Sequence, residues 1–241
     1  MTSPNTSKDK ALIFLTAICC AVPFLYICYL VNKYAVNVPF WDDWAQIPMI
    51  NHFLDGNLQL SELWAQHNEH RPLIFRIVRL FFVWTTNWNL VYEMNFSLFL
   101  TVLIFVTLLW LVRFTHRPFE LKSYAWLLIF IALLNWSPTQ FENFLWAMMM
   151  CFFCQNLFAL LCIIILTTGT HGAWKVILAA IFAALSSYSS GAGLFLWPIG
   201  LIVLLVIPAN SFDSSDVCSA TITLERQRQL HLCIFRGIVV C

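Results

Sequence analysis

The chain has 241 residues, of which 61% are hydrophobic and only 10% are charged. Its mean hydropathy of +0.78 excludes an ordinary soluble domain and favours a polytopic membrane protein. The formal net charge of +1 provides no basic or acidic excess, so composition gives no indication of nucleic-acid binding.

Six apolar segments are predicted to cross the membrane as helices. A hydrocarbon core of about 30 Å requires roughly 20 residues of helix, so the shorter segments must include part of their flanks. The first segment is too long for a signal peptide and has no small-residue cleavage site after it, which indicates an uncleaved anchor. The predicted fold class is therefore an all-α, polytopic transmembrane helix bundle with spans at residues 11–31, 91–112, 124–136, 144–167, 173–187 and 193–207.

The segment at residues 72–88 is apolar but carries Arg76 and Arg79. An arginine at the centre of a spanning helix costs about 2.5–3.5 kcal/mol on insertion scales. The two arginines lie on one helical face, a pattern typical of an amphipathic helix along the membrane surface. We therefore expect the outer loop at residues 33–90 to contain interfacial helices rather than another span.

The distribution of lysine and arginine predicts the orientation of the bundle. With six spans, eight basic residues cluster on the side of the N-terminus, which the positive-inside rule makes the cytoplasm. Residues 1–10 are then a cytoplasmic tail, and the loop at residues 33–90 faces the periplasm or a lumen. The clustered residues are Lys8, Lys10, Arg113, Arg117, Lys122, Lys175, Arg226 and Arg228.

The composition changes after residue 208. Residues 210–215 are polar and typical of a turn, and the chain becomes apolar again at residues 230–241. About a dozen apolar residues are too few to span a bilayer. Residues 208–241 are therefore predicted to be a polar linker and the start of a further helix in a truncated chain. A short amphipathic tail is the alternative.

An acidic pair, Asp42 and Asp43, follows the first predicted span and is flanked by Trp41 and Trp44. Tryptophan is enriched in the headgroup layer of a membrane. A carboxylate held there, half shielded from water, can act as a general base. The alternative is a solvated acidic turn that caps the helix after it.

His67 and His70 would share one face if residues 61–70 form a helix, for which Ser61 is a suitable N-cap. With nearby carboxylates they could bind a divalent metal ion as a cofactor. The alternative is a polar interfacial helix with hydrogen-bonded imidazoles. The carboxylates considered for such a site are Asp42, Asp43 and Glu69, and the set kept as the weaker alternative is Asp43, His67 and His70.

Arg71, Arg76 and Arg79 would place three guanidinium groups at the outer membrane surface. Such groups can bind a phosphate or diphosphate lipid head group. The alternative is snorkelling to the phosphates of ordinary phospholipids. Gln140 and Glu142, in the loop between the third and fourth spans, face the same compartment as the acidic pair.

Several segments of this chain together resemble the GT-C superfamily of polytopic glycosyltransferases, which use polyprenyl-phosphate sugars. The members of this superfamily include the protein O-mannosyltransferases, the lipid A aminoarabinose transferases and the RgtA–D-like group, and the chain more closely resembles bacterial membrane proteins related to that group. It covers residues 11–207. The segments that carry it are residues 41–44, 58–64, 67–71, 140–143 and 187–197.

The resemblance implies that one carboxylate of the pair deprotonates an acceptor hydroxyl, which attacks the anomeric carbon of the sugar with inversion. Asp42 falls on the first acidic position of the family motif, so it is the expected catalytic base, assisted by Asp43. The leaving polyprenyl phosphate needs cations, and Arg71 and Arg76 are candidates by charge and location. The rest of the expected substrate-binding set is His67, Glu69, His70 and Glu142.

The resemblance also implies a place in the bacterial inner membrane, with membrane lipid and a polyprenyl-phosphate-linked sugar as partners. The chain is shorter than the family members, which carry several more helices. Two other functions stay open, a transporter or flippase and a non-catalytic membrane subunit. Polar residues inside spans mark transport paths, and here they are few: Glu93, Asn95, Gln155 and Asn156.

Overall fold

The computed structural model describes residues 7–68, 70–115, 121–168 and 173–206. Over these ranges the chain is helical and forms no strand, so the predicted all-α fold class is confirmed. The helices are α1 (Ser7–Tyr34), α2 (Ile47–Leu54), α3 (Leu60–Leu63), α4 (Leu73–Thr86), α5 (Leu90–Thr115), α6 (Leu121–Asn135), α7 (Phe141–Leu145), α8 (Met150–Thr167), α9 (Ala173–Ser187) and α10 (Leu196–Val206). Short 3-10 segments at Trp41–Gln46, Pro138–Gln140, Ala147–Met149 and Gly191–Phe195 connect them.

Three stretches of helix are long and apolar enough to cross a membrane, namely Asp9–Tyr34, Leu90–Thr115 and Ala147–Thr167. The other three predicted spans correspond to α6, α9 and α10, which are shorter. A helix of 15 residues, the length of α6 and of α9, rises only about 22 Å. The membrane character of the bundle therefore follows from three helices, and the total of six spans stays a prediction.

Helix α8 lies in the middle of the described bundle. It packs against α5 and α9 and also contacts α4 and α10, while α1 packs against α6. The main buried cluster joins these helices through residues such as Ile27, Phe75, Leu98, Phe144 and Met150. This core holds the C-terminal end of α1 and the N-terminal ends of α5 and α8 together, next to the loop that contains the acidic pair.

Helix α4 turns its two arginines towards the protein, while several of its large apolar side chains point outwards. Arg76 and Arg79 belong to its buried face, whereas Ile77, Phe81 and Trp84 are exposed. An interfacial helix with water-facing arginines would show the opposite arrangement. The inversion has a physical cause, because carboxylates and carbonyls inside the protein offer these guanidinium groups partners that lipid would not.

Some sequence-based predictions fall on residues outside the described ranges. These are the further helix at residues 208–241, most of the tail at residues 1–10, and the basic residues Arg117, Arg226 and Arg228. Glu69, which was expected to bind substrate, also lies outside them. The predicted orientation therefore stays a prediction.

Candidate functional site

The local backbone at Trp41 determines where the two aspartates point. Phe40 is extended, Trp41 has a left-handed φ of 47°, and the 3-10 turn then runs to Gln46. The Asp43 amide donates to the Phe40 carbonyl at 3.0 Å, and the Asp43 Oδ2 accepts from the Phe40 amide at 3.3 Å. Because a 3-10 helix has about three residues per turn, consecutive side chains point about 120° apart. Asp42 and Asp43 therefore face different surroundings.

Asp43 points into the protein, where its side chain is 1% exposed. Its Oδ1 lies 2.5 Å from Nη2 of Arg79, which is fully buried. The same guanidinium reaches Glu93, with Nη2 at 2.8 Å and Nε at 3.0 Å from Oε2. The face of the Phe75 ring covers it at 4.3 Å from its centroid. We call Asp43, Arg79 and Glu93 the buried triad.

The buried triad joins three separate parts of the chain. Asp43 comes from the 3-10 turn, Arg79 from α4, and Glu93 from the first turn of α5. Removing charges from water is costly, and it is offset only where opposite charges meet in good geometry. This arrangement favours a structural role for Asp43, because its carboxylate is engaged with Arg79 and hardly reaches the surface.

Asp42 points outwards, and its side chain is 42% exposed. Its Oδ2 lies 3.3 Å from Nε2 of His67, whose side chain is only 13% exposed. The two atoms are within ion-pair distance, although the ring nitrogen does not have the direction of a hydrogen bond. Asp42 is therefore the member of the acidic pair that meets water, and an imidazole supports it from the protein side.

A tight turn, rather than a helix, positions His67. Helix α3 ends at Leu63, so residues 61–70 do not form the single helix that would place both histidines on one face. His67 and His70 instead pair through two backbone hydrogen bonds, of 2.8 and 3.1 Å, around Asn68 with its φ of 51°. Asparagine tolerates this left-handed backbone better than most residues, and the turn can therefore form. The two imidazole centroids lie 6.3 Å apart.

The metal site considered as a weaker alternative does not form in this part of the chain. Across the described ranges, no three histidine, cysteine, aspartate or glutamate side chains come together in a way that could hold a metal ion. The proposed set fails because Asp43 binds Arg79 inside the protein, while His67 lies beside Asp42.

Arg76 and Arg71, both predicted to contact phosphate, occupy different environments. Arg76 is 5% exposed and donates from Nη1 to the carbonyl oxygens of Leu63, at 3.0 Å, and Ala65. Burial lowers the pKa of its guanidinium. Arg71 is exposed and lies over the Trp64 ring at 6.0 Å from its centroid. The geometry thus favours a structural role for Arg76 and leaves Arg71 accessible to an anion.

The loop that carries Glu142 approaches the acidic pair through aromatic rings. Glu142 is exposed in the first turn of α7, and Trp146 follows one turn later. The Trp146 ring lies 5.6 Å from the Phe40 ring and 6.1 Å from the Trp41 ring, measured between centroids. The structure therefore brings this loop to the 3-10 turn, as expected, but the contact is aromatic.

Sequence reasoning missed the partners of Asp43. The sequence pattern predicts a membrane-surface position for Arg79 and places Glu93 among the few polar residues inside predicted spans. A charged residue in an apolar segment usually pairs with another charge, and this rule could have linked the two. The same rule does not identify Asp43 as their third partner, because nothing in the sequence distinguishes the inward from the outward aspartate.

No protein-family model, curated protein or solved structure matches this chain.

Proposed function

We propose that this protein is a GT-C-like membrane glycosyltransferase, which transfers a sugar from a polyprenyl-phosphate donor to an acceptor hydroxyl. Asp42 is the general base in this proposal. The observation that carries it is the division of the acidic pair. One carboxylate is fixed inside by Arg79, and its neighbour is presented to water beside His67. A turn that only capped a helix would not need the second carboxylate to be supported in this way.

The proposed reaction uses the exposed carboxylate directly. A carboxylate oxygen of Asp42 accepts the proton of the acceptor hydroxyl as the hydroxyl oxygen attacks the anomeric carbon. The bond from that carbon to the phosphate oxygen breaks, and its electron pair leaves with the polyprenyl phosphate. The configuration at the anomeric carbon inverts, because attack and departure occur on opposite faces of the sugar.

The other residues have supporting parts in this proposal. Arg71 is the exposed guanidinium of the outer loop and neutralises the leaving phosphate. His67 restricts the rotation of the Asp42 side chain from its position 3.3 Å away. The buried triad holds the 3-10 turn against α4 and α5, so that the base keeps its place while substrate binds.

The activity test compares two carboxylates of the same outer loop. Asp42→Asn keeps the size and polarity of the side chain but removes the base, so the transfer rate should fall by about 10²–10⁴-fold. Transfer from a radiolabelled polyprenyl-phosphate sugar would be measured in proteoliposomes. Asp55→Asn is the matched control, because Asp55 is an exposed aspartate after α2 and outside the site. Full activity of Asp42→Asn would end the proposal.

The proposal also requires the acidic pair to face away from the cytoplasm, in the bacterial inner membrane. Single cysteines at Ser61 and Ser123, both exposed, would be introduced into a cysteine-free background and labelled with an impermeant thiol reagent. We expect the reagent to reach Ser61 from the outer side and Ser123 only after the membrane is opened. The reverse labelling pattern would contradict both the predicted topology and the proposed enzyme function.

A non-catalytic membrane subunit is the alternative that one observation favours. The buried triad pairs Asp43 and Glu93 with the same guanidinium, and such a network can serve fold alone. A transport role receives less support, because Glu93 belongs to this network at the N-terminal end of α5 rather than to a path through the membrane. Asp42→Asn separates the enzyme from the subunit, since a subunit would tolerate it.

A further inference from the structure

Trp41 combines three properties that do not belong together in an ordinary surface residue. The residue is 71% exposed although its side chain is large and apolar. Its backbone has a left-handed φ of 47°, which costs a bulky residue free energy. It also directly precedes Asp42, the exposed carboxylate. Such strain persists only where surrounding contacts enforce it, and it is often found at functional sites.

The Trp41 indole is held in place by two other rings. Phe40 stacks on it with centroids 5.7 Å apart and planes at 27°. Trp146 meets it at 6.1 Å and 68°, in an edge-on arrangement. With the residue 71% exposed, these contacts fix the indole but leave a broad apolar surface next to a carboxylate.

Anchoring in the lipid headgroup layer does not explain this arrangement. Two tryptophans of similar exposure, Trp84 at 72% and Trp126 at 67%, lie inside the regular helices α4 and α6. An interfacial indole needs only exposure at the right depth, and those two have it without a left-handed backbone. The strain at Trp41 therefore indicates a requirement for one fixed ring orientation.

We propose that the open surface of Trp41 binds a sugar ring of the substrate, with Asp42 accepting hydrogen bonds from its hydroxyl groups. The face of an aromatic ring is negative, so it attracts the weakly positive C–H groups on one side of a pyranose. A carboxylate beside it accepts from hydroxyl donors and repels a phosphate placed in the same spot. This inference rests on the proposed glycosyltransferase function and names the part of the substrate that lies at Trp41.

The test is saturation-transfer-difference NMR with the full chain in lipid nanodiscs. The probes are methyl glucopyranoside, methyl mannopyranoside and methyl galactopyranoside, supplied one at a time. Trp41→Gly removes the ring and suits the left-handed backbone, so the fold should survive. Trp41→Phe keeps an aromatic face, and Trp84→Leu is the control for loss of an equally exposed indole.

We expect at least one glycoside to receive saturation on its ring C–H protons in the wild-type protein and in Trp84→Leu. In Trp41→Gly the affinity should be about tenfold weaker, which corresponds to about 1.4 kcal/mol. Trp41→Phe should recover part of the signal. Equal signals from Trp41→Gly and the wild type, or none from any glycoside, would overturn the inference. A third result would also overturn it: choline displaces the glycoside, and Asp42→Asn binds choline as well as the wild type does. The ring alone would then bind a quaternary ammonium group.

Failure of this inference and failure of the proposed function give different results. If sugar transfer depends on Asp42 but Trp41→Gly keeps the wild-type KM and glycoside signal, only the proposed sugar binding by Trp41 is wrong. If Trp41→Gly loses glycoside binding but Asp42→Asn transfers sugar at the normal rate, Trp41 is a sugar-binding residue and the catalytic assignment of Asp42 is wrong.

Discussion

Asp42 and Asp43 are adjacent in the sequence and carry the same side chain, yet the protein uses them in opposite ways. Asp42 is 42% exposed beside His67, whereas Asp43 is 1% exposed and paired with Arg79. The difference arises from the 3-10 turn, which directs consecutive side chains to different sides. An acidic pair is therefore not a single functional unit, and each carboxylate has to be assigned from its own surroundings.

The buried position of Asp43 depends most strongly on Arg79. Arg79→Met would leave Asp43 and Glu93 as buried carboxylates without a cation, which is expected to cost about 3–5 kcal/mol in free energy of unfolding. The measurement is unfolding of the purified protein in mixed micelles. Arg113→Met is the control, because Arg113 is an exposed arginine at the end of α5, and it should change stability by less than about 0.5 kcal/mol.

A combined variant decides whether buried charge causes that loss. Arg79→Met together with Asp43→Asn and Glu93→Gln leaves no charge in the cluster, so most of the lost stability should return. If the combined variant is as unstable as Arg79→Met alone, packing of the arginine rather than its charge holds the three segments together. The comparison between inward and outward aspartates would then lose its electrostatic basis.

The second prediction compares the two aspartates directly. Asp43→Asn weakens a buried hydrogen bond to a charged group, which typically contributes about 1.5–3 kcal/mol to the free energy of unfolding. Asp42→Asn changes an exposed side chain and should stay within about 0.5 kcal/mol of the wild type. Both variants would be measured in the same unfolding assay. Equal losses in the two variants would contradict the division of the pair.

The sequence predicts the helical class and the positions of the apolar helices, but only part of the site. Hydropathy identifies α1, α5 and α8 because a spanning helix must be apolar over its whole length. Side-chain direction in the loop at residues 33–90 depends on irregular turns and on tertiary pairing. The left-handed backbone at Trp41 and the turn at Asn68 leave no periodic pattern, so the Asp42–His67 contact could not be derived from spacing.

The third prediction extends the comparison to the arginines of the outer loop. Arg76 donates to the carbonyls of Leu63 and Ala65 and so fixes the segment after α3, whereas Arg71 is exposed. Arg76→Met should lower the free energy of unfolding by about 1–2 kcal/mol, because at least one carbonyl loses its donor. Arg71→Met should leave stability unchanged and, under the proposed function, raise KM for the phosphate-linked donor. A stability loss only in Arg71→Met would reverse this assignment.

The smallest expected effect concerns Glu62, a second carboxylate of the outer loop that pairs with a histidine. Its Oε2 accepts from the Gln59 amide at 2.9 Å, and its Oε1 lies 2.5 Å from Nδ1 of His52. The Gln59 amide first, and His52 second, lower the pKa of Glu62 in the folded protein. A carboxyl group with a lowered folded pKa contributes stability above its unfolded pKa of about 4.3 and loses it as the pH falls through the folded value.

The free energy of unfolding should therefore fall slightly more between about pH 6 and about pH 3 in the wild type than in Glu62→Gln, which has no proton to gain there. His52→Gln should keep most of this pH dependence, because the backbone amide of Gln59 is the larger cause of the shift. The effect is small because the His52 side chain is exposed, so water and salt screen the pair. If the free energy of unfolding falls equally on acidification in the wild type and in Glu62→Gln, the 2.5 Å contact contributes nothing in solution. Proximity of a carboxylate to an imidazole would then be weak evidence for Asp42 as well, and the case for its role would rest on the activity of Asp42→Asn alone.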